Sequence, residues 1–345
     1  MTIPKTQTGY GIHHGVKKLV RFDNMPVPEP GPSEVLLKIE VTGLCRSDLH
    51  ILIVQDPRIP EKMVMGHEIC GSIAKVGSEV TDERYQAGQR FCMLIADACG
   101  SCENCRAGHD NWCTVNGTLA FGISKDGGFQ QYLLVQNLRS LIPIPDDVSY
   151  EAAASATDAI LTPFHAIMKV KLDLGPTTKV LVVGAGGLGL NAIQILKFFG
   201  CRIVCIDKKA GNENLAKEFG AAQFYTDADE IEDAQESFDL CFDFVGHQTT
   251  MEACVEYVKT GGKIVLVGLG NRVLTIPNYE LARREVQIIF NFGGSSKDQS
   301  EILQWISAGV LKPVVASASM SELPEYMDKL AKGEVVGRVV FKPKL

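Results

Sequence analysis

Apolar residues in the first half of the chain come in short runs, such as Val35 to Val41 and Ile69 to Val76, bounded by Gly and Pro. Runs of that length, rich in β-branched residues and flanked by turn formers, predict strands. From Glu34 to about Tyr150 the pattern therefore reads as an irregular, mostly β domain. After Ala152 the texture changes. Lys179 to Val183 precedes an amphipathic helix from about Leu188 through Leu196, and further strands are predicted at Arg202 to Ile206, Leu240 to Phe244 and Lys263 to Val267. Strands alternating with helices predict a doubly wound parallel sheet covered on both faces. From about Ser295 the pattern gives helices around Ile302 to Ser307 and Tyr326 to Ala331, then a closing strand Arg338 to Phe341 that is expected to pack back onto the first domain. The expected organisation is α/β in two domains, 1–154 with 296–345, and 155–295.

Composition narrows the function classes. A length of 345 residues suits two domains, at about 150 residues each, and 46% apolar with 22% charged residues is the balance of a soluble globular chain. Lys and Arg number 34 against 41 Asp and Glu, for a net charge of -7. No basic surplus is available to neutralise a phosphate backbone, so nucleic acid is not an expected partner. The longest apolar stretch, Val180 to Leu196, is broken by four glycines, Asn191 and Gln194, which argues against a membrane span. The opening MTIPKTQTGY has neither the apolar core of a secretion signal nor the Arg-rich character of a transit peptide, so a cytoplasmic location is expected. In a reducing compartment the 11 cysteines would serve metal binding, catalysis or core filling.

Gly184, Gly186 and Gly189, with Gly187 and Leu188 between the last two, form G-x-G-x-x-G directly after an apolar strand and at the head of a helix. Glycines there permit a tight turn and close backbone approach, so a pyrophosphate can rest on the helix N-terminus. The second strand, CRIVCID, ends in Asp207, 18 positions beyond Gly189, where a carboxylate can accept both ribose hydroxyls. A phosphate on the 2'-oxygen would lie about 4 Å from that carboxylate, at a cost of roughly 1 to 4 kcal/mol. NAD is therefore favoured over NADP, and Lys208 and Lys209 read as solvated.

Cys99, Cys102, Cys105 and Cys113 are spaced C-x2-C-x2-C-x7-C. Four thiolates from one short loop can close around a tetrahedral zinc and leave no open position, which makes such a site structural. The alternatives are two disulfides or four unconnected thiols. A second set is dispersed: Cys45 in G-L-C-R-S-D-L-H, His67 and Glu68 in G-H-E, and Asp158 in A-T-D-A-I-L-T-P. Spacing alone leaves these as a core cysteine and ordinary polar residues.

From about Pro26 to Pro343 these segments, the cysteine loop, the glycine turn and the closing G-R-V-V resemble the zinc-dependent medium-chain alcohol dehydrogenases, in that family's order and approximate spacing. The resemblance implies a GroES-like catalytic domain joined to a Rossmann domain. It implies that Cys45 and His67 bind a catalytic zinc, that Asp158 occupies the third ligand position, and that Glu68 is a carboxylate able to enter the shell. The commonest third ligand is cysteine, and some secondary-alcohol-oxidising members of the family use aspartate. Zinc with one thiolate, one imidazole and one carboxylate carries no net charge, whereas adding Glu68 makes the site anionic. Glu68 is accordingly expected as a transient or resting-state ligand.

The same resemblance implies that Ser47 receives the alcohol proton, that it passes through the ribose hydroxyls, and that His50 releases it to solvent. Asp48 would accept the second ring N-H of His67. Arg46 and Arg338 would hold the pyrophosphate, and Val267, Gly268 and Leu269 would contact nicotinamide. The segment Ile289 to Gly294 departs from the family pattern. Leu52 and Leu94 fall where related enzymes place walls of the alcohol pocket, although core packing accounts for them equally well. Cys70, Cys92, Cys201, Cys205, Cys241 and Cys254 read as small buried hydrophobes. The implied activity is reversible hydride transfer between an alcohol, expected to be secondary, and NAD, giving ketone or aldehyde. It would need two zinc ions per subunit, in a homodimer or homotetramer. A polyol dehydrogenase of the same superfamily is the alternative enzyme, and a non-catalytic nucleotide-binding protein the alternative class.

Overall fold

Val35–Leu44 is almost wholly buried along its length because both of its edges are paired. Glu68–Val76 runs antiparallel along one edge, while Tyr132–Val135 and Arg338–Lys342 share the other. The full seven-stranded sheet runs Val315–Ser319, Arg338–Lys342, Val35–Leu44, Glu68–Val76, Arg90–Met93 and Leu141–Pro143, with Tyr132–Val135 off that path. A three-stranded antiparallel sheet places Thr6–His13 between Val16–Pro26 and Lys62–Val64. Two apolar clusters hold these sheets, one around Ile12, Leu44, Phe129 and Phe341, the other around Val35, Ile39, Ile69 and Phe91. Each fully buried side chain of this size contributes about 1.5 to 3 kcal/mol.

The computed structural model describes residues 2–117, 119–231 and 235–343. The chain divides into two compact units, Met1–Leu161 with Gly294–Leu345, and Thr162–Gly293. The sequence set the first junction at 154/155, whereas the division falls after Leu161, so Asp158 belongs to the unit that carries Cys45 and His67.

Register within the first unit decides which residues can meet. Gly43 pairs with Glu68, and Leu44 with Val339. The ends of three strands therefore converge, bringing positions 45, 67, 68 and 338 to one end of the sheet.

The second unit is a six-stranded sheet, parallel throughout. Its order is Ala221–Tyr225, Arg202–Ile206, Lys179–Val183, Phe238–Asp243, Val258–Leu266, Gln287–Phe290. Numbered along the chain this is 3-2-1-4-5-6, the Rossmann order, whose direction reverses between Lys179–Val183 and Phe238–Asp243. Parallel strands need crossovers, and Gly187–Phe198, Glu213–Phe219 and Gln248–Tyr257 are the principal helices here. Among the described residues no helix is long and apolar enough to cross a membrane.

Candidate active site

Cys45 lies between the strand Val35–Leu44 and the helix Arg46–Val54, with extended backbone at the helix cap. Asp48 Oδ2 accepts the Cys45 backbone N-H at 2.9 Å, which satisfies a donor that the helix leaves free. Asp48 Oδ1 lies 3.2 Å from His67 Nδ1, so one buried carboxylate reaches both the helix start and the imidazole. Glu68 opens the next strand, directly across from Gly43. A Cβ at Gly43 would collide with the Glu68 carboxylate; the glycine of G-L-C makes room for that side chain, a role absent from the sequence reading. Asp158 Oδ2 completes the group at 3.2 Å from Cys45 Sγ and 3.9 Å from His67 Nε2. One candidate ligand atom each from Cys45, His67, Glu68 and Asp158 lies within 4.8 Å of the others, and all four residues are buried.

The electrostatics of this cluster call for a cation. Burial would push the His67 pKa down, but the Asp48 charge, helped by Asp158 and Cys45, carries it well above the usual value. Burial raises the Glu68 carboxyl to about 8, against the pull of the Arg338 guanidinium. Burial also opposes ionisation of Asp158, yet His67 and Arg338 outweigh it and hold that carboxyl well below the usual range. Glu68 Oε2 is buried without any hydrogen-bond donor, an expensive arrangement for a carboxylate unless a cation supplies the missing partner. A sulfur, an imidazole and a carboxylate are the donors that zinc prefers, and their spacing fits an ion between them.

The cysteine loop is a second such group, with its four sulfur atoms within 4.8 Å of one another. Cys99 Sγ and Cys105 Sγ are 4.0 Å apart, near the roughly 3.8 Å separation that a tetrahedral ion with 2.3 Å bonds imposes. None of the four is in a disulfide. Cys99 Sγ accepts backbone N-H groups from Ser101 at 3.4 Å and Cys102 at 3.3 Å. The Ser101 hydroxyl, followed by these N-H groups, draws the Cys99 thiol down to about 6, while burial pushes Cys105 up to about 12. Asp110 ties the loop down: its Oδ2 accepts the Ser296 backbone N-H at 3.1 Å and pairs with the Ser296 hydroxyl.

In the second unit, Gly184 adopts φ +95° at the end of its strand, and a Cβ at Gly189 would collide with the Gly184 carbonyl. Gly186 caps the helix Gly187–Phe198 and faces open space, leaving first-turn N-H groups clear for an anion. Asp207 follows Arg202–Ile206; its Oδ2 accepts the Ala185 N-H at 2.6 Å, which holds the carboxylate beside the glycine turn. Lys208 and Lys209 are exposed. Val267, Gly268 and Leu269 follow the strand Val258–Leu266, with both the Val267 and Gly268 N-H groups donating to the Asp243 carbonyl at 2.9 Å. In the first unit, Arg46, Ser47 and His50 are exposed on the helix Arg46–Val54, and Ser47 Oγ lies 3.7 Å from Cys45 Sγ.

Three further residues of the sequence reading are buried. Leu52 packs in the apolar cluster with Leu44 and Phe341. Leu94 is also buried, donates its N-H to the Ser140 carbonyl, and lines a small cavity with Asp110, Arg139 and Ser296 beside the cysteine loop. Arg338 is the third. Its guanidinium is buried, with Nη2 at 2.9 Å from Glu68 Oε1 and 3.3 Å from Asp158 Oδ2, and Nη1 donating to the Leu44 carbonyl at 3.1 Å. That environment is set by the strand pairing of Val339 with Leu44, which sequence spacing does not reveal.

Known proteins resemble this chain over nearly its whole length. Residues 31–146 match the family model for the alcohol dehydrogenase GroES-like domain, and residues 187–308 that for zinc-binding dehydrogenases. An alcohol dehydrogenase of Schizosaccharomyces pombe is 31% identical, with 99% of each chain covered. An NAD-dependent alcohol dehydrogenase of Sulfurisphaera tokodaii is 30% identical over 95% of this chain and 98% of its own. Among solved structures, acetophenone reductase from Geotrichum candidum in complex with NAD is 38% identical at a TM-score of 0.92, covering 99% of this chain and 98% of that one. The chain belongs to the zinc-dependent medium-chain alcohol dehydrogenase family.

Proposed function

We propose that this protein is a zinc- and NAD-dependent alcohol dehydrogenase that interconverts secondary alcohols and ketones. The observation that carries the reading is the buried cluster of Cys45, His67, Glu68 and Asp158, drawn from distant parts of the chain to within 4.8 Å. Cys45, His67 and Asp158 would hold the catalytic zinc and the cysteine loop a structural one. The glycine turn with Asp207, together with Arg46 and Val267 to Leu269, would hold NAD. When bound, zinc would supply Lewis acidity and nicotinamide would accept a hydride, so the alcohol loses that hydride, which carries two electrons and one proton, and its hydroxyl proton as it becomes a ketone.

The chain's own residues do the rest. Asp48 fixes the ring of His67. Ser47 and His50, three apart on one helix, share a face; Ser47 takes the hydroxyl proton and His50 passes it to solvent, a task suited to an imidazole. The preference for secondary alcohols draws on the aspartate at position 158 and on the likeness to acetophenone reductase, which makes an aryl alkyl ketone a candidate substrate. We place the enzyme in the cytoplasm as a homodimer or homotetramer. Gln287–Phe290 is an edge strand with Phe290 73% and Phe292 72% exposed, the kind of edge that a second copy can cover.

The test follows absorbance at 340 nm with acetophenone and NADH, and with 2-butanol or sorbitol and NAD, while zinc is measured on the same preparation. Turnover of acetophenone and 2-butanol well above sorbitol, with two zinc ions per subunit, is expected. A preference for sorbitol, or a single zinc confined to the cysteine loop, overturns the reading. Light scattering should give a mass of two or four chains.

A further inference from the structure

At the carboxyl ends of the parallel strands, where such a sheet binds its ligands, one buried acceptor is left over. Asn291 follows the strand Gln287–Phe290 and is only 6% exposed. The strand register pairs Leu266 with Phe290, so Asn291 lies one step further on, level with Val267, and its backbone N-H donates to the Leu266 carbonyl at 2.9 Å. Its side-chain Nδ2 donates to the Thr162 carbonyl at 3.0 Å and reaches the Gly293 carbonyl at 3.5 Å. An amide with two carbonyls before it must turn its nitrogen to them, which fixes its oxygen on the other side. That Oδ1 is buried with no hydrogen-bond donor among the described residues. A buried amide oxygen without a partner is costly and calls for an explanation.

The neighbouring segment narrows the choice. The Val267 and Gly268 N-H groups both donate to the Asp243 carbonyl at 2.9 Å. They are spent within the sheet, so these two residues have carbonyl oxygens to offer a ligand, not N-H groups. Acceptors suit a ligand that brings donors, and the carboxamide of nicotinamide carries two N-H groups on one nitrogen. We propose that Asn291 recognises this carboxamide: Oδ1 accepts one of its N-H groups, while Nδ2, held by Thr162, keeps the side chain from turning over. The inference rests on the NAD reading above. It assigns a cofactor contact to a side chain within Ile289 to Gly294, the segment that departs from the family pattern.

The test is a cycle of variant against cofactor on the full-length, zinc-loaded protein, with Kd read by titration calorimetry. In 3-acetylpyridine adenine dinucleotide a methyl ketone replaces the carboxamide and no N-H remains there, whereas thionicotinamide adenine dinucleotide keeps the NH2 group. Wild type is expected to bind NAD and the thio analogue about 3- to 10-fold more tightly than the acetyl analogue, the range for one net hydrogen bond. Asn291→Leu, similar in size but without the oxygen, should remove most of that preference, whatever loss all three cofactors share from the broken bond to Thr162. Asn291→Val serves if the leucine variant does not fold, since a β-branched residue suits a strand end.

An acetyl analogue that binds wild type as tightly as NAD overturns the proposal without recourse to a variant. Equal losses for all three cofactors in the variants overturn it as well, and would leave Oδ1 to a buried water. A wild-type protein that binds no NAD overturns both this inference and the functional reading, whereas NAD binding and turnover with an unchanged preference in the variants overturns only the inference.

Discussion

Gly43 and Glu68 show how one missing atom shapes the site. The Glu68 carboxylate lies where a Cβ of residue 43 would be, so Gly43→Ala must displace either a central strand or a buried charge. Overpacking of this kind costs about 1 to 3 kcal/mol. The variant is expected to melt several degrees below wild type and to bind less zinc than wild type, checked by calorimetry and elemental analysis. Full zinc content at an unchanged melting temperature would refute the packing argument. Asp48 works on two partners, the Cys45 N-H and the His67 ring. Asp48→Asn should therefore lower metal affinity or turnover about 10- to 100-fold, while Ser47→Ala, which leaves both contacts in place, should slow turnover with zinc content unchanged. At this scale the sequence marked Cys45, His67 and Asp158 through their motifs. It was silent on the contact of Gly43 with Glu68 and on that of Arg338 with Leu44, because both are set by strand register, across 25 residues in the first case and 294 in the second.

The cysteine loop contains a helix of only four residues, Glu103–Arg106, too short to be stable without support. Its anchors are the sulfur cluster and the clasp between Asp110 and Ser296. Removal of one thiol by Cys102→Ser is expected to release one zinc, lower the melting temperature and increase proteolysis within 99–113, while Asp110→Ala should lower the melting temperature with that zinc retained. Zinc analysis with timed trypsin digestion separates the two outcomes. In the nucleotide-binding unit, Asp207→Ala should raise the Kd for NAD about 10-fold or more, from hydrogen bonds to a charged group worth about 1.5 to 3 kcal/mol, and should narrow the gap between NAD and NADP. Binding curves with both cofactors check it; an unchanged ratio would mean that the carboxylate does not select. Strands with continuous apolar runs, such as Lys179–Val183, were legible because both faces are buried. Ala221–Tyr225 and Gln287–Phe290, at the two edges of the same sheet, were not, because their burial is partial and their pattern weak.

The first unit is built from two separated stretches of chain, with Thr162–Gly293 between them. Arg338–Lys342 pairs directly with Val35–Leu44 and brings Phe341 into the core. A chain truncated after Gly293 would leave that edge open and delete Arg338. It is expected to aggregate or to retain at most the cysteine-loop zinc, as gel filtration with metal analysis would show; a soluble truncated protein with two zinc ions would contradict this account. Residues 162–293, continuous in sequence, depend on no such return.

Interleaving of this kind has a consequence during synthesis on the ribosome. The loop sulfurs are all present once Cys113 has been made, while the arginine that contacts two carboxylates of the other cluster arrives 225 residues later. At about 5 to 20 residues per second, that interval is roughly 10 to 45 seconds. On the proposed assignment, the nascent polypeptide would capture its first zinc early, while the reactive centre would mature only after the intervening nucleotide-binding segment has been translated. An unfinished chain would carry metal and still be inert.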